Sequence, residues 1–168
     1  MTAFFALRRC KEELMKKTIA AGLLAALAAS ASAAGTSVRE VGVGVALGEP
    51  IGATAMLWLD DRLALDVGAG LSDGNGAFWG DALWHDWTLL PQPSNGRLGA
   101  YAGAGPQIRT GDDARFGLRA IVGVSYRPTG HPLELYAEAG PLFRLTQGGE
   151  VDAVGGVGLR VMLGGKAR

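Results

Sequence analysis

Eight segments of the chain alternate apolar and polar side chains, and most of them are nine to thirteen residues long. Alternation with a period of two predicts β-strands, and this length suits a tilted strand that crosses a bilayer, about 9–11 residues. Turn signals rich in Gly, Pro, Asp and Asn separate the segments. We therefore predict strands at 38–47, 51–59, 63–71, 77–88, 97–109, 115–127, 132–144 and 151–163.

Most of these segments have two distinct faces, because residues at positions of the same parity, odd or even, point to the same side of a strand. The charged residues are restricted to one parity. In the sixth, the apolar side chains at alternate positions from Phe116 to Tyr126 share one face, and Arg115, Arg119 and Arg127 share the other. Such a ribbon buries one face against a core or a bilayer and pairs its edges with neighbouring strands. The predicted fold is therefore an all-β sheet of eight antiparallel strands.

The fourth segment departs from this pattern. Trp79 and Leu83 share the parity of Asp81 and His85, so that bulky apolar and ionisable side chains lie on one face. Periodicity alone does not assign this face, and the register of the fourth strand is left open.

Alternation also leaves open which face of a closed sheet points outward, and glycine favours one answer. The chain contains 27 glycines, and about a dozen lie on the charged parity. Inside a narrow barrel these glycines leave room for arginine, tyrosine and tryptophan side chains that cross the lumen. We predict an eight-stranded antiparallel up-and-down transmembrane β-barrel with charges inside; a soluble periplasmic barrel is the alternative.

Five aromatic residues on the apolar parity fall near predicted strand ends. If both termini are periplasmic, Phe78, Phe116 and Phe143 lie near the outer rim, whereas Trp84 and Tyr126 lie near the inner rim. Two aromatic girdles that flank an aliphatic band are typical of a bilayer-facing surface.

The N-terminal segment has the pattern of a cleavable export signal. From Met15 it runs through two lysines, an apolar stretch at 19–29 and a small-residue site that ends at Ala33. The apolar stretch is about half the ~20 residues of a membrane-spanning helix. We expect residues 1–33 to comprise an N-terminal extension and a signal peptide cleaved near Ala33, and 34–168 to form a single β-barrel domain.

The end of the chain carries a resemblance. Gly158, Val161 and Leu163 follow the spacing of the C-terminal signal by which outer-membrane barrels are recognised for insertion, although the usual aromatics are absent. With the export signal and eight strands, the chain resembles small outer-membrane barrels of the OmpA membrane domain and OmpX type. The resemblance implies a location in the outer membrane of a Gram-negative cell, with membrane lipid and the barrel-assembly machinery as partners.

The charged parity predicts ion pairs inside the barrel. We expect a network of ion pairs in the lumen, which closes the barrel and gives it a structural, envelope-integrity role. A narrow channel for small polar solutes is the alternative, and a lipid-modifying enzyme is a weaker one. The predicted network comprises Arg115, Arg119, Glu134, Glu138, Arg144, Asp152 and Arg160; the same parity also includes Glu40, Asp66, Asp81, His85, Arg109 and Arg127.

No pattern in the sequence predicts a catalytic or metal site. The single cysteine, Cys10, lies in the segment expected to be removed, and the two histidines lie in different segments without the His-x-Ser motif of lipid A deacylases. Removing residues 1–33 takes away five basic and two acidic residues, so the 16 of each become 11 and 14. This slight acidic excess gives no basic patch for nucleic acid. No cofactor or small-molecule ligand is predicted.

Overall fold

The computed structural model describes residues 39–111, 114–146 and 149–164. The expected export signal and its cleavage site near Ala33 lie outside the described residues. Within the described ranges, no helix is long and apolar enough to cross a membrane.

Eight strands form one closed barrel, in which each strand pairs antiparallel with the next and β8 pairs with β1. The predicted all-β, up-and-down fold is thus confirmed. Each predicted strand is present, with ends that differ from the prediction by two residues or fewer. The strands are β1 (Glu40–Glu49), β2 (Ile51–Trp58), β3 (Leu63–Ser72), β4 (Asn75–Asp86), β5 (Gly96–Arg109), β6 (Arg115–Pro128), β7 (Leu133–Arg144) and β8 (Val151–Leu163).

The turn between β3 and β4 is tighter than the sequence predicted. A five-residue turn at 72–76 was expected, but Ser72 pairs with Asn75 and only Asp73 and Gly74 connect the strands. Both residues have positive φ, 47° and 76°, as a two-residue type I′ hairpin requires. The backbone twist of this turn matches the twist of the two strands, so both strands continue up to the turn.

The barrel has two rims, which we name by their distance from the ends of the chain. The terminal rim is the end at which β1 begins and β8 ends, and it carries the connections 59–62, 87–95 and 129–132. The distal rim is the opposite end, and the described residues that it carries between strands are 50, 73–74, 110–111, 114, 145–146 and 149–150.

Side chains alternate between the barrel interior and its outer surface. Arg119 and Arg160 are buried inside, whereas Val122 and Leu159 are exposed on the outside. The open question of β4 is resolved as well: its bulky and ionisable parity points inward, and Trp84 points outward. Most charged side chains of the strands are therefore inside, where a smaller set of buried apolar side chains joins them, and the outer surface is mostly aliphatic.

Glycines on neighbouring strands make room for the aromatic rings inside. Trp79 lies opposite Gly68, and Tyr136 lies opposite Gly158. A Cβ added to Gly68 would lie 1.9 Å from the Trp79 ring, and one added to Gly158 would lie 2.2 Å from the Tyr136 ring. The absence of a side chain at these glycines lets a large ring lie flat across the neighbouring strand.

Candidate functional site

Arg160 on β8 lies at the centre of a buried group of polar side chains. Its guanidinium donates to Asp66 Oδ1 at 2.8 Å and to Glu134 Oε1 at 3.0 Å. Asp66 also accepts hydrogen bonds from Thr54 Oγ1 at 2.6 Å and from the Trp79 indole at 3.3 Å. The charges are therefore paired and hydrogen-bonded, as buried ionic groups must be to persist.

Arg119 on β6 forms a second buried group. Its Nε donates to Asp81 Oδ1 at 3.1 Å, and its Nη2 donates to Glu138 Oε1 at 2.9 Å. The Tyr101 hydroxyl donates to the other Glu138 oxygen at 2.8 Å. Arg119 also lies 5.7 Å from the centre of the Trp79 ring, which itself donates to the Asp66 carboxylate. The two groups are thereby in contact across the barrel.

Arg127 extends these contacts toward the terminal rim. It donates to Glu134 Oε2 and to Glu40 Oε2, each at 2.8 Å, and its guanidinium lies 4.6 Å from the centre of the Trp58 ring. Glu134 thus bridges Arg127 and Arg160. We call this connected set the lumen network: Arg119, Arg127 and Arg160 with Glu40, Asp66, Asp81, Glu134 and Glu138.

Separate ion pairs lie at the distal rim. Arg109 donates to Asp73 at 2.9 Å and to Glu49 at 3.3 Å, and Glu49 also accepts from the Ser72 hydroxyl. Arg144 donates to Asp152 on the neighbouring strand and to Glu150. These carboxylates are more exposed than those of the lumen network, so water screens them and each pair contributes less.

His85 is buried among aromatic rings on the terminal side of the interior. The centre of its imidazole lies 4.5 Å from that of Trp58, 5.7 Å from Trp87 and 4.8 Å from Tyr101. Neither ring nitrogen has a hydrogen-bond partner among the described residues. His85 therefore packs as part of an aromatic cluster.

Two small cavities lie between the lumen network and the distal rim. One is lined by Trp79, Arg119 and Glu138, and the other by Gln107, Arg115 and Asp152. Each has a volume of about 10 Å³, which is about the room that one water molecule requires. A solute larger than water would have to displace side chains to enter either cavity.

In the described ranges, no group of three or more His, Cys, Asp or Glu side chains is arranged to hold a metal ion. The acidic side chains of the interior face guanidinium groups instead, as at Asp66 and Arg160.

Comparison with known proteins shows the same architecture in a solved structure. No protein-family model matches the sequence, and no curated protein matches it. The chain is similar to the N-terminal β-barrel domain of OprF from Pseudomonas aeruginosa, with a TM-score of 0.51 and 15% sequence identity, over 74% of this chain and 96% of that domain. The two chains share one fold. The resemblance to small eight-stranded barrels of the OmpA and OmpX type is thus confirmed for the fold.

The structure brings together some of the network residues predicted from the sequence and separates others. Arg119 reaches Glu138, whereas Arg115 and Glu134, both members of the predicted network, lie far apart. Because β6 and β7 are antiparallel, the first residues of β6 lie beside the last residues of β7, and Gly117 pairs with Arg144. Arg115 therefore lies at the distal rim, while Glu134 lies on the terminal side.

The predicted network also omitted residues that form ion pairs in the structure. Asp66 and Asp81 are the carboxylates that Arg160 and Arg119 contact across the barrel, and Arg127 joins Glu134. Their inward parity was visible in the sequence. Their pairing was not, because it depends on how the strands, two or three positions apart for the two aspartates, face each other across the lumen.

The remaining predicted residues lie on the outer surface or beneath a ring. Phe78 and Phe116 both pair with Ile108 near the distal rim, and Phe143 pairs with Leu118. On the terminal side, Trp84 pairs with Leu63, and Tyr126 pairs with Leu98. Of the residues that resemble an insertion signal, Val161 and Leu163 point outward and Gly158 lies under the Tyr136 ring.

Proposed function

We propose that the protein is an outer-membrane β-barrel that spans the bilayer and has a structural role in the envelope. The observation that carries this proposal is the direction of the side chains: charged groups are buried, and large aliphatic groups are exposed around the barrel. Water would favour the reverse, whereas hydrocarbon favours this arrangement. Exposed residues include Val43, Val45, Leu47, Ile51, Leu71, Leu118, Val122, Val124, Leu135, Val157, Leu159, Val161 and Leu163.

The closed backbone supports the same proposal. Every strand has a hydrogen-bonded neighbour on both sides, and only the first residues of β8 extend beyond the end of β1. A sheet in hydrocarbon must satisfy its backbone groups internally, and closure accomplishes this. A soluble barrel has no such need to expose aliphatic side chains on its outer face.

Fractionation tests the location. We expect the protein in the outer-membrane fraction, extracted only by detergent, and running faster on a gel when unboiled than when boiled. Recovery in the soluble periplasmic fraction without detergent would contradict the proposal. Mass spectrometry of the same preparation tests the export signal, with the mature chain expected to begin at Ala34.

We further propose that the lumen network closes the barrel, so that the role is structural rather than conductive. The support is two sets of ion pairs that lie across the lumen, one centred on Arg160 and one on Arg119, together with cavities that hold about one water molecule. Planar-bilayer recording tests this, and we expect no reproducible unit conductance. A steady conductance that a bulky residue at Gly123 abolishes would favour the narrow channel instead.

We propose no catalytic role for the barrel. Lipid A from cells with and without the protein, compared by mass, is expected to be the same. A mass change that corresponds to loss or gain of an acyl chain would instead favour a lipid-modifying enzyme.

For assembly, we propose that the barrel-assembly machinery recognises the end of β8. Support comes from the outward, exposed positions of Val161 and Leu163. Replacing both with lysine should slow insertion into vesicles that contain the machinery far more than folding in detergent micelles. Equal slowing in both systems would indicate a plain loss of stability.

A further inference from the structure

A buried glutamine lines the small cavity that lies toward the distal rim on the β5–β8 side of the interior. Gln107 is 2% exposed, and neither its Nε2 nor its Oε1 has a hydrogen-bond partner among the described residues. Buried amides are nearly always hydrogen-bonded, because an unpaired polar group gives up its water without compensation. The Gln107 amide therefore points to a ligand in this cavity.

The register of three neighbouring strands forms the cavity. Gln107 on β5 pairs with Gly117 on β6, and Gly117 pairs with Arg144 on β7. Because Gly117 has no side chain, space remains between the Gln107 amide and the Arg144 guanidinium. Arg109 and Arg115 are direct partners across β5 and β6, one inward position closer to the distal rim. All five residues line the cavity.

The cavity is rich in hydrogen-bond donors and poor in acceptors. Among the described residues, its charged lining consists of the guanidiniums of Arg109, Arg115 and Arg144 and the carboxylate of Asp152. A guanidinium has five N–H donors and no acceptor, and Asp152 already accepts from Arg144. The missing partner of Gln107 Nε2 is therefore an acceptor. An anion would supply it, and it would also reduce the repulsion between like charges on directly opposite residues, here Arg109 and Arg115.

We propose that this cavity binds one chloride-sized anion between the Gln107 amide and the Arg115 guanidinium. Its volume of about 10 Å³ is about the room that one water molecule requires, and a chloride ion is only slightly larger. Phosphate is several atoms larger and would disrupt the ion pairs of Arg109 and Arg144. The bound anion links β5 to β6 at the distal rim and stabilises the folded barrel. The site depends on the folded barrel alone, whether or not the barrel spans a bilayer.

The folded full-length barrel in non-ionic detergent micelles tests the site, in sodium chloride and in sodium gluconate of equal ionic strength. We expect the barrel to broaden the chlorine NMR signal of dissolved chloride in a saturable manner. We also expect chloride to stabilise the barrel against urea relative to gluconate, which is too large for the cavity. At a chloride concentration of ten times Kd, the equilibrium constant for unfolding should fall about tenfold.

Two variants and a matched control locate the effect. Q107L and R115Q should each remove both the broadening and the additional stability in chloride. The control is R97Q, which removes one positive charge at the other end of β5, by the terminal rim; its response to chloride should equal that of the wild type. Equal responses in all four proteins would indicate a general salt effect and overturn the proposal. So would the lack of any response in the wild type, since water would then fill the cavity.

A further variant tests whether the chain supplies its own anion. Asp112 and Asp113 closely precede Arg115 in the sequence and lie outside the described residues. We expect chloride to bind both the wild type and D112N/D113N. Binding to D112N/D113N alone would mean that one of these carboxylates occupies the cavity, and this result would overturn the proposal.

Discussion

Asp66 and Arg160 are 94 residues apart in the sequence, yet Arg160 Nη2 donates to Asp66 Oδ1 over 2.8 Å inside the barrel. Both side chains are almost fully buried. Taking two charges out of water is costly, and the cost is recovered only when the pair keeps its geometry and its further hydrogen bonds. The stability of the barrel interior therefore depends on both members of each buried ion pair being present.

Replacing Arg160 with methionine should destabilise the barrel strongly. The substitution leaves Asp66 and Glu134 buried with one cation fewer, and breaking a buried pair from one side costs about 3–5 kcal/mol. The free energy of unfolding in lipid vesicles, measured with urea, checks this value. R39M is the control, because the Arg39–Asp61 pair has a similar distance of 2.9 Å but is exposed; its loss should be below about 1 kcal/mol. Equal losses in both variants would contradict burial of the network.

Replacing Val122 with arginine tests contact with hydrocarbon. Val122 lies midway along β6 and is 64% exposed. Arginine on the lipid face costs about 2–4 kcal/mol at the bilayer midplane and about 0–1 kcal/mol near an interface. Leu135, two residues from the start of β7, should tolerate arginine better. The same urea titration checks both variants, and a negligible loss for V122R would argue that water, rather than lipid, surrounds the barrel.

Replacing Gly68 with alanine tests the packing of rings against glycine. The new Cβ would lie 1.9 Å from the Trp79 ring, so the indole must move and its hydrogen bond to Asp66 is disturbed. Overpacking of this kind costs about 1–3 kcal/mol. Gly80, on the neighbouring strand, is the control, since its nearest neighbour would be 3.7 Å away. If G80A destabilised the barrel as much as G68A, ring packing would not be the reason.

Tryptophan fluorescence tests the outward direction of Trp84. This side chain is 54% exposed, while Trp87 is 7% exposed. Lipids brominated in their acyl chains should quench the wild-type emission, and W84F should remove most of that quenching. W87F should leave it largely unchanged. Quenching that persists in W84F would place a different tryptophan against the lipid.

The strands could be predicted from the sequence because alternation and turn chemistry are local. A β-strand places successive side chains on opposite faces, so Arg119 and Val122 were assigned to different faces without knowledge of the fold. The position of the turn at Asp73 and Gly74 was predicted correctly, but its length was not, because the length depends on whether both residues adopt positive φ.

The sequence by itself thus determined two properties: the eight strands, and the separation of charged from apolar side chains on most of them. Only the tertiary structure decided which carboxylate meets which guanidinium, as with Asp81 and Arg119, and how β4 is turned. The reason is that contacts across a lumen depend on the stagger and closure of all eight strands together. No single segment carries that information.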